Sequence, residues 1–235
     1  MSSDPIKFQN LGTPIFAGAR YSPEMTRIVL AAKEDNDKNA RKVLVGFLMS
    51  ALQLALTSQI QNSGITESSE SSDSSESSDS SESSDSSELK NPKKNIGDTS
   101  STIYVIPIPS RASANRVRGF KHSLVLAQVL AATLTSRKII IIDCLILLRR
   151  VRDQAGLDLS ARNKNMAGAY KLQFSSTQRI YEHILSRGNH EIYILDDLVT
   201  TGATIAAAKL ALASGKITVS GALASCATPG FYALR

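Results

Sequence analysis

Apolar and polar positions along the 235-residue chain change their period several times, and each change marks a new element. Pro23 opens PEMTRIVLAAKE, where Ser22 is placed to cap a helix and proline suits its first turn. Residues 38–59 read as a second helix with an apolar stripe too wide to leave in water. Its most apolar run, VLVGFLMSALQLAL at 43–56, is 14 residues long and is interrupted by Ser50 and Gln53. That is short of a bilayer span and predicts a buried helix with no membrane partner. Ile103 to Ile108 is a short β-rich run ending in prolines, expected as a buried strand. GFKHSLVLAQVLAATL at 119–134 predicts a helix with Leu124, Ala127, Val129, Leu130 and Leu134 as its apolar positions. KIIIIDCLILL at 138–148 is strand material, either one strand or two broken at Asp143.

The pattern then turns polar. Residues 149–168, RRVRDQAGLDLSARNKNMAG, predict a long basic loop with a short helical turn near Leu159. AYKLQF returns to strand, TQRIYEHILSR reads as a modest helix, and EIYILDD is the strongest strand signal in the chain. Ala203 to Ser214 predicts a helix stopped by Gly215, and KITVSGALASC a last strand. Strands alternating with helices predict an α/β fold with a mostly parallel sheet covered on both faces. In such sheets ligands bind at the carboxyl ends of the strands, near the switch in strand order.

One segment fits no element. Residues 67–88 repeat two serines and an acid, with no apolar side chain to offset the entropy of ordering them. They predict a disordered insertion over 61–98, between N-terminal helices at 1–60 and a core at 99–235. Two readings of the repeat stay open: a tolerated surface insertion, or an acidic tract whose serines accept phosphate. The repeat also alters the charge picture. The chain is +6 overall, yet eight of its 21 acids and none of its 27 Lys and Arg lie in 67–88. Thirteen acids face 27 cations elsewhere, a net charge of +14, which suggests an anionic ligand or partner. Aromatics make up 5% and tryptophan is absent, so base-stacking platforms for single strands are poorly supplied. Cys144 and Cys226 form no CxxC pair, which excludes a cysteine zinc site and implies reduced thiols in a cytoplasmic protein. The start, MSSDPIKFQNLG, shows no basic and apolar regions of a signal peptide.

Candidate chemistry concentrates in IYILDDLVTTGAT, residues 192–204. Thr200 to Thr204 offer hydroxyls and backbone N–H groups at the start of a helix, and Gly202 lets a ligand approach the backbone. Asp196 and Asp197 would repel a phosphate at the same spot. They suit a ligand with hydroxyls at one end and a phosphate at the other, as in a ribose 5-phosphate. A nucleotide hydrolase would need GxxxxGK[ST] upstream, and the only Gly-Lys, Gly215–Lys216, is followed by Ile217. A helix cap explains one acid, but not two acids with three threonines around a glycine.

Four apolar residues, two acids and a TTGAT loop resemble the phosphoribosyl diphosphate signature of type I phosphoribosyltransferases. IPIPSR at 106–111, RGF at 118–120 and DQAGLDLSARNKNMAGA at 153–169 narrow the resemblance to the ComF-type, amidophosphoribosyltransferase-like group associated with competence. The pieces span most of 15–60 and 100–228. The resemblance implies a type I phosphoribosyltransferase-like sheet with a small N-terminal helical hood, and transfer of a phosphoribosyl group to an unidentified nitrogen nucleophile. By the same resemblance Asp196 and Asp197 contact the ribose hydroxyls and are the catalytic pair. Thr200, Thr201, Gly202, Ala203 and Thr204 hold the 5-phosphate, and Ser110 and Arg111 lie near the diphosphate. Arg150, Arg152 and Arg162 are candidates on a flexible loop. Magnesium would be bridged by substrate oxygens rather than caged by side chains, with no zinc. The chain departs from the group in lacking a cysteine-rich start, in carrying Lys121 and His122 after RGF, and in the Ser/acid insertion. A second class of function also stays open: a non-catalytic accessory factor for DNA uptake that senses phosphoribosyl diphosphate and touches nucleic acid. Homodimerisation is left open as well.

Overall fold

The computed structural model describes residues 4–10, 12–64, 102–148, 168–173 and 190–228. Its elements in chain order are β1 (Ile6–Asn10), β2 (Thr13–Arg20), α1 (Pro23–Lys33), α2 (Lys38–Gly64), β3 (Thr102–Pro107), α3 (Ala112–Arg118), α4 (His122–Thr133), β4 (Ile139–Ile141), β5 (Leu145–Leu147), β6 (Tyr170–Leu172), β7 (His190–Val199), α5 (Ala203–Ser214) and β8 (Gly221–Ala227). Six strands form one sheet in the order β1-β2-β8-β7-β3-β4. All pair in parallel except β1, which runs antiparallel to β2 at the edge. The fold is thus mixed α/β, a mostly parallel sheet flanked by helices. β5 and β6 pair separately as a two-stranded antiparallel ribbon.

Two apolar cores lie on the two faces of the sheet. Ile192 and Ile194 of β7 pack with Ile205, Ala208 and Leu212 of α5. Tyr193 and Leu195, pointing the other way, pack with Met25 and Val29 of α1, Leu44 and Leu48 of α2, and Leu126 and Leu130 of α4. Strands buried on both faces explain why β3 and β7 read as continuous apolar runs rather than alternating ones. α1 begins as its residues demand: the Ser22 side chain accepts the Met25 N–H and proline occupies the first turn. α2 buries Leu44, Leu48, Leu52 and Ala55, a row at helical spacing laid over β2 and β8.

The structure corrects several expectations. Residues 1–60 are not purely a helical hood, because Ile6–Asn10 and Thr13–Arg20 form two strands of the main sheet. The physical reason is long-range: β2 is stabilised by pairing with β8, some 200 positions later, along Ile15–Ala222 through Arg20–Ala227. Gly18 permits it, since a Cβ there would sit 1.9 Å from the Phe47 carbonyl oxygen of α2. α2 continues to Gly64, past the expected helix end at 59. Its Lys38–Gln61 stretch, unlike the 14-residue run within it, is long and apolar enough by length and composition to cross a membrane. The break at Asp143 is real, and the two halves join different sheets. Residues 112–118, between the expected strand and the expected helix at 119–134, form α3, a helix without a buried residue. The Ser/acid repeat, the helix at 177–187 and Arg150, Arg152 and Arg162 lie outside the described residues.

Candidate functional site

The chain leaves β3 for β4 on one side of it and reaches β8 from β7 on the other, so strand order switches between β3 and β7. The carboxyl ends of these two strands open into a cleft of about 470 Å³. Ser110 and Arg111 follow β3 into it, and Asp196, Asp197, Thr200 and Thr204 reach it from β7 and α5. These are the residues expected from the sequence, drawn together from positions more than 80 residues apart. Lys33 and Val29 of α1, Arg118 of α3, Ser123 of α4, Leu147 of β5 and Tyr170 of β6 complete the walls.

β7 does not stop before its acids. Asp196 pairs in register with Ala224 and the strand runs to Val199, so adjacent residues point to opposite faces. Asp196 falls on the α5 side, where Tyr170 also lies. Asp197 falls on the face covered by α1, α2 and α4, and is buried. There Lys33 Nζ donates to its Oδ2 at 2.9 Å, and His122 Nε2 stands 3.5 Å from the same oxygen. The Leu198 N–H donates to Asp197 Oδ1 at 2.9 Å, and the Asp197 N–H to Asp196 Oδ1 at 2.9 Å. The two acids are therefore unequal: one is anchored by the Lys33 ammonium on a helical face, the other belongs to the opposite face.

Their acidities diverge accordingly. Burial raises the Asp196 pKa, and the neighbouring Asp197 carboxylate raises it further; Lys33 only partly opposes this. Burial also pushes Asp197 up, but the Lys33 ammonium and then His122 outweigh it, and the group stays ionised below the ordinary range. Asp197 raises the Lys33 pKa in return, against burial. Burial lowers the His122 pKa, despite the pull of Asp197. Burial, then the charge of Asp196, raises Tyr170.

In the loop, Gly202 adopts φ 69° at the start of α5, a left-handed conformation that favours glycine. Thr201 turns inward: its carbonyl accepts Asn10 Nδ2 at 3.3 Å and its Oγ1 accepts the Ala203 N–H at 3.4 Å. The Thr200 carbonyl accepts the Thr228 hydroxyl at 3.1 Å. Gly202 and Ala203 are buried, shaping the turn, while Thr200 and Thr204 line the cleft.

Three participants escaped the sequence. Lys33 and His122 lie against Asp197, with His122 only 1% exposed, and Arg118 lines the same cleft. The signal for Arg118 and His122 was the RGFKH stretch itself; Lys33 had none, since it meets Asp197 across 164 residues. Among the described residues no group of three His, Cys, Asp or Glu is placed to hold a metal. Comparison with protein-family models and with curated proteins gives no match for this chain.

Proposed function

We propose that the cleft binds phosphoribosyl diphosphate with magnesium and transfers its phosphoribosyl group to a nitrogen nucleophile. One observation carries this: a single cleft at the strand-order switch combines Ser110 and Arg111, Asp196, and the Thr200–Thr204 turn. A ligand must present anions at two ends and hydroxyls between them to satisfy all three. The N–H groups and hydroxyls at the start of α5 take the 5-phosphate. Asp196 accepts hydrogen bonds from the ribose hydroxyls. Asp197 holds the geometry, because Lys33 and the Leu198 N–H already engage its carboxylate.

Ser110 and Arg111 face the diphosphate. The C1–O bond to diphosphate breaks and its electron pair leaves with the diphosphate oxygen. The nitrogen lone pair forms the C1–N bond, and the displaced nitrogen proton passes to water. Catalysis of this kind needs positioning and charge neutralisation rather than a protein nucleophile. The donor set is hard oxygen, with Asp196 and the hydroxyls of Ser110, Thr200 and Thr204, and it fits a magnesium ion shared with substrate oxygens. When bound, that ion neutralises charge on the leaving diphosphate.

The test is thermal stabilisation. A ligand at about 100 times its Kd adds about 2.7 kcal/mol, a rise in Tm on the order of 5–10 °C for a chain of this size. Phosphoribosyl diphosphate with magnesium chloride should produce it in the wild type, and Asp196→Asn should remove it. A wild-type protein whose melting is indifferent to the pair refutes the reading. Diphosphate release, screened over bases and amines, then reports turnover.

A further inference from the structure

We infer that Lys33 and Arg118 form a second oxyanion subsite in the cleft, taking a carboxylate or phosphate carried by the nitrogen acceptor. The inference rests on the phosphoribosyl reading, which leaves these two cations unassigned. Both line the cleft, yet neither belongs to the strand-end loops that meet the sugar phosphate. They come from the ends of α1 and α3.

Arg118 is the stronger half of the argument. Its side chain is 9% exposed, its Nε donates to Glu34 Oε2 at 2.9 Å, and its Nη1 is buried with no hydrogen-bond partner. A buried guanidinium donor without an acceptor is a cost the fold accepts only where something supplies one. Glu34 is 48% exposed, so water weakens its hold on the guanidinium charge. Lys33 uses its ammonium on Asp197 and still has donors to spare, because an ammonium carries three. An oxyanion entering between them gains charge-assisted hydrogen bonds from both.

The rest of the wall fits the body of such a molecule. Val29, Leu147 and Tyr170 give the cleft an apolar flank. A flat, anionic nitrogen compound satisfies flank and cations together. An uncharged base offers Arg118 Nη1 a neutral acceptor and no charge to meet the guanidinium and the ammonium.

The probe is benzoate, with benzamide as its uncharged counterpart, titrated by calorimetry into the full chain with and without ribose 5-phosphate. Benzoate should bind and benzamide should not. Arg118→Gln should weaken benzoate about tenfold, the loss of one hydrogen bond to a charged group. It should leave ribose 5-phosphate and inorganic diphosphate within about twofold of wild type. Glu34→Gln, which removes the ion pair but keeps the guanidinium, should bind benzoate at least as tightly as wild type.

Equal binding of benzamide, or none of benzoate, overturns the inference. A loss of diphosphate affinity in Arg118→Gln matching the loss of benzoate also overturns it, by assigning the arginine to the diphosphate. Equal weakening by Glu34→Gln overturns it too, by making the effect structural. If ribose 5-phosphate fails to bind the wild type, the phosphoribosyl reading falls and takes the acceptor assignment with it. If only benzoate fails, the inference falls alone.

Discussion

Removing the two ends of the Lys33–Asp197 pair should have unequal consequences. The Asp197 side chain is 7% exposed, whereas that of Lys33 is 29% exposed. Lys33→Met strands an ionised carboxylate in the interior. Breaking a buried pair this way costs about 3–5 kcal/mol where nothing else compensates. Here the Leu198 N–H at 2.9 Å and His122 at 3.5 Å remain, which brings the expected loss to about 2–3 kcal/mol. Asp197→Asn instead strands an ammonium that can swing into the cleft, and Asn keeps the bond from Leu198; the loss should be about 1 kcal/mol. Once the acid is gone, methionine serves as well as lysine, so the double variant should resemble Asp197→Asn. The coupling energy is then about 2–3 kcal/mol.

The pH dependence follows from the direction of the shift. The folded-state pKa of Asp197 lies below its ordinary 3.8, mainly through Lys33 acting against burial. Its contribution is fully present above pH 3.8 and is lost as pH falls through the folded value. The gap between wild type and Lys33→Met should be full at pH 7 and should narrow at pH 3. Urea denaturation of all four proteins at both pH values measures this. Single losses that simply add, or a gap equally wide at pH 3, would refute the account.

Asp196 should behave in the opposite sense. Its pKa is raised by burial and by Asp197, so its ionisation burdens the fold increasingly as pH rises above 3.8 and fully above the raised value. Without ligand, Asp196→Asn should melt a few degrees above wild type at pH 8 and level with it at pH 3, and a lower Tm at pH 8 contradicts the assigned cause. Gly18→Ala places a Cβ 1.9, 2.4 and 2.6 Å from the O, C and Cα atoms of Phe47, all backbone. No side-chain rotation relieves that, so α2 must lift from β2 at a cost of about 3 kcal/mol, and a urea-derived loss under about 1 kcal/mol shows the approach to be looser.

Much of the site was legible because its parts are local. An apolar run, two acids and a Thr-Gly turn lie within 13 residues, and α5 begins and ends at the expected Ala203 and Ser214. The Ser22 cap and the break at Asp143 are decided by immediate neighbours too. β1 and β2 were missed because IKFQN and TPIFAGAR are short, carry Pro14 and Gly18, and become strands by pairing with distant chain. The unequal fates of Asp196 and Asp197 were hidden because a strand was expected to end at the acids, when it carries them to opposite faces.

The amino-acid order by itself determined the α/β alternation, the helix caps and the hydroxyl-rich turn, since each is fixed by side chains within a few residues of one another. Only the tertiary structure decided which cation meets which acid. Lys33 and His122 reach Asp197 because α1 and α4 cover the same face of β7, and that depends on sheet order and helix packing, which no short stretch of sequence encodes.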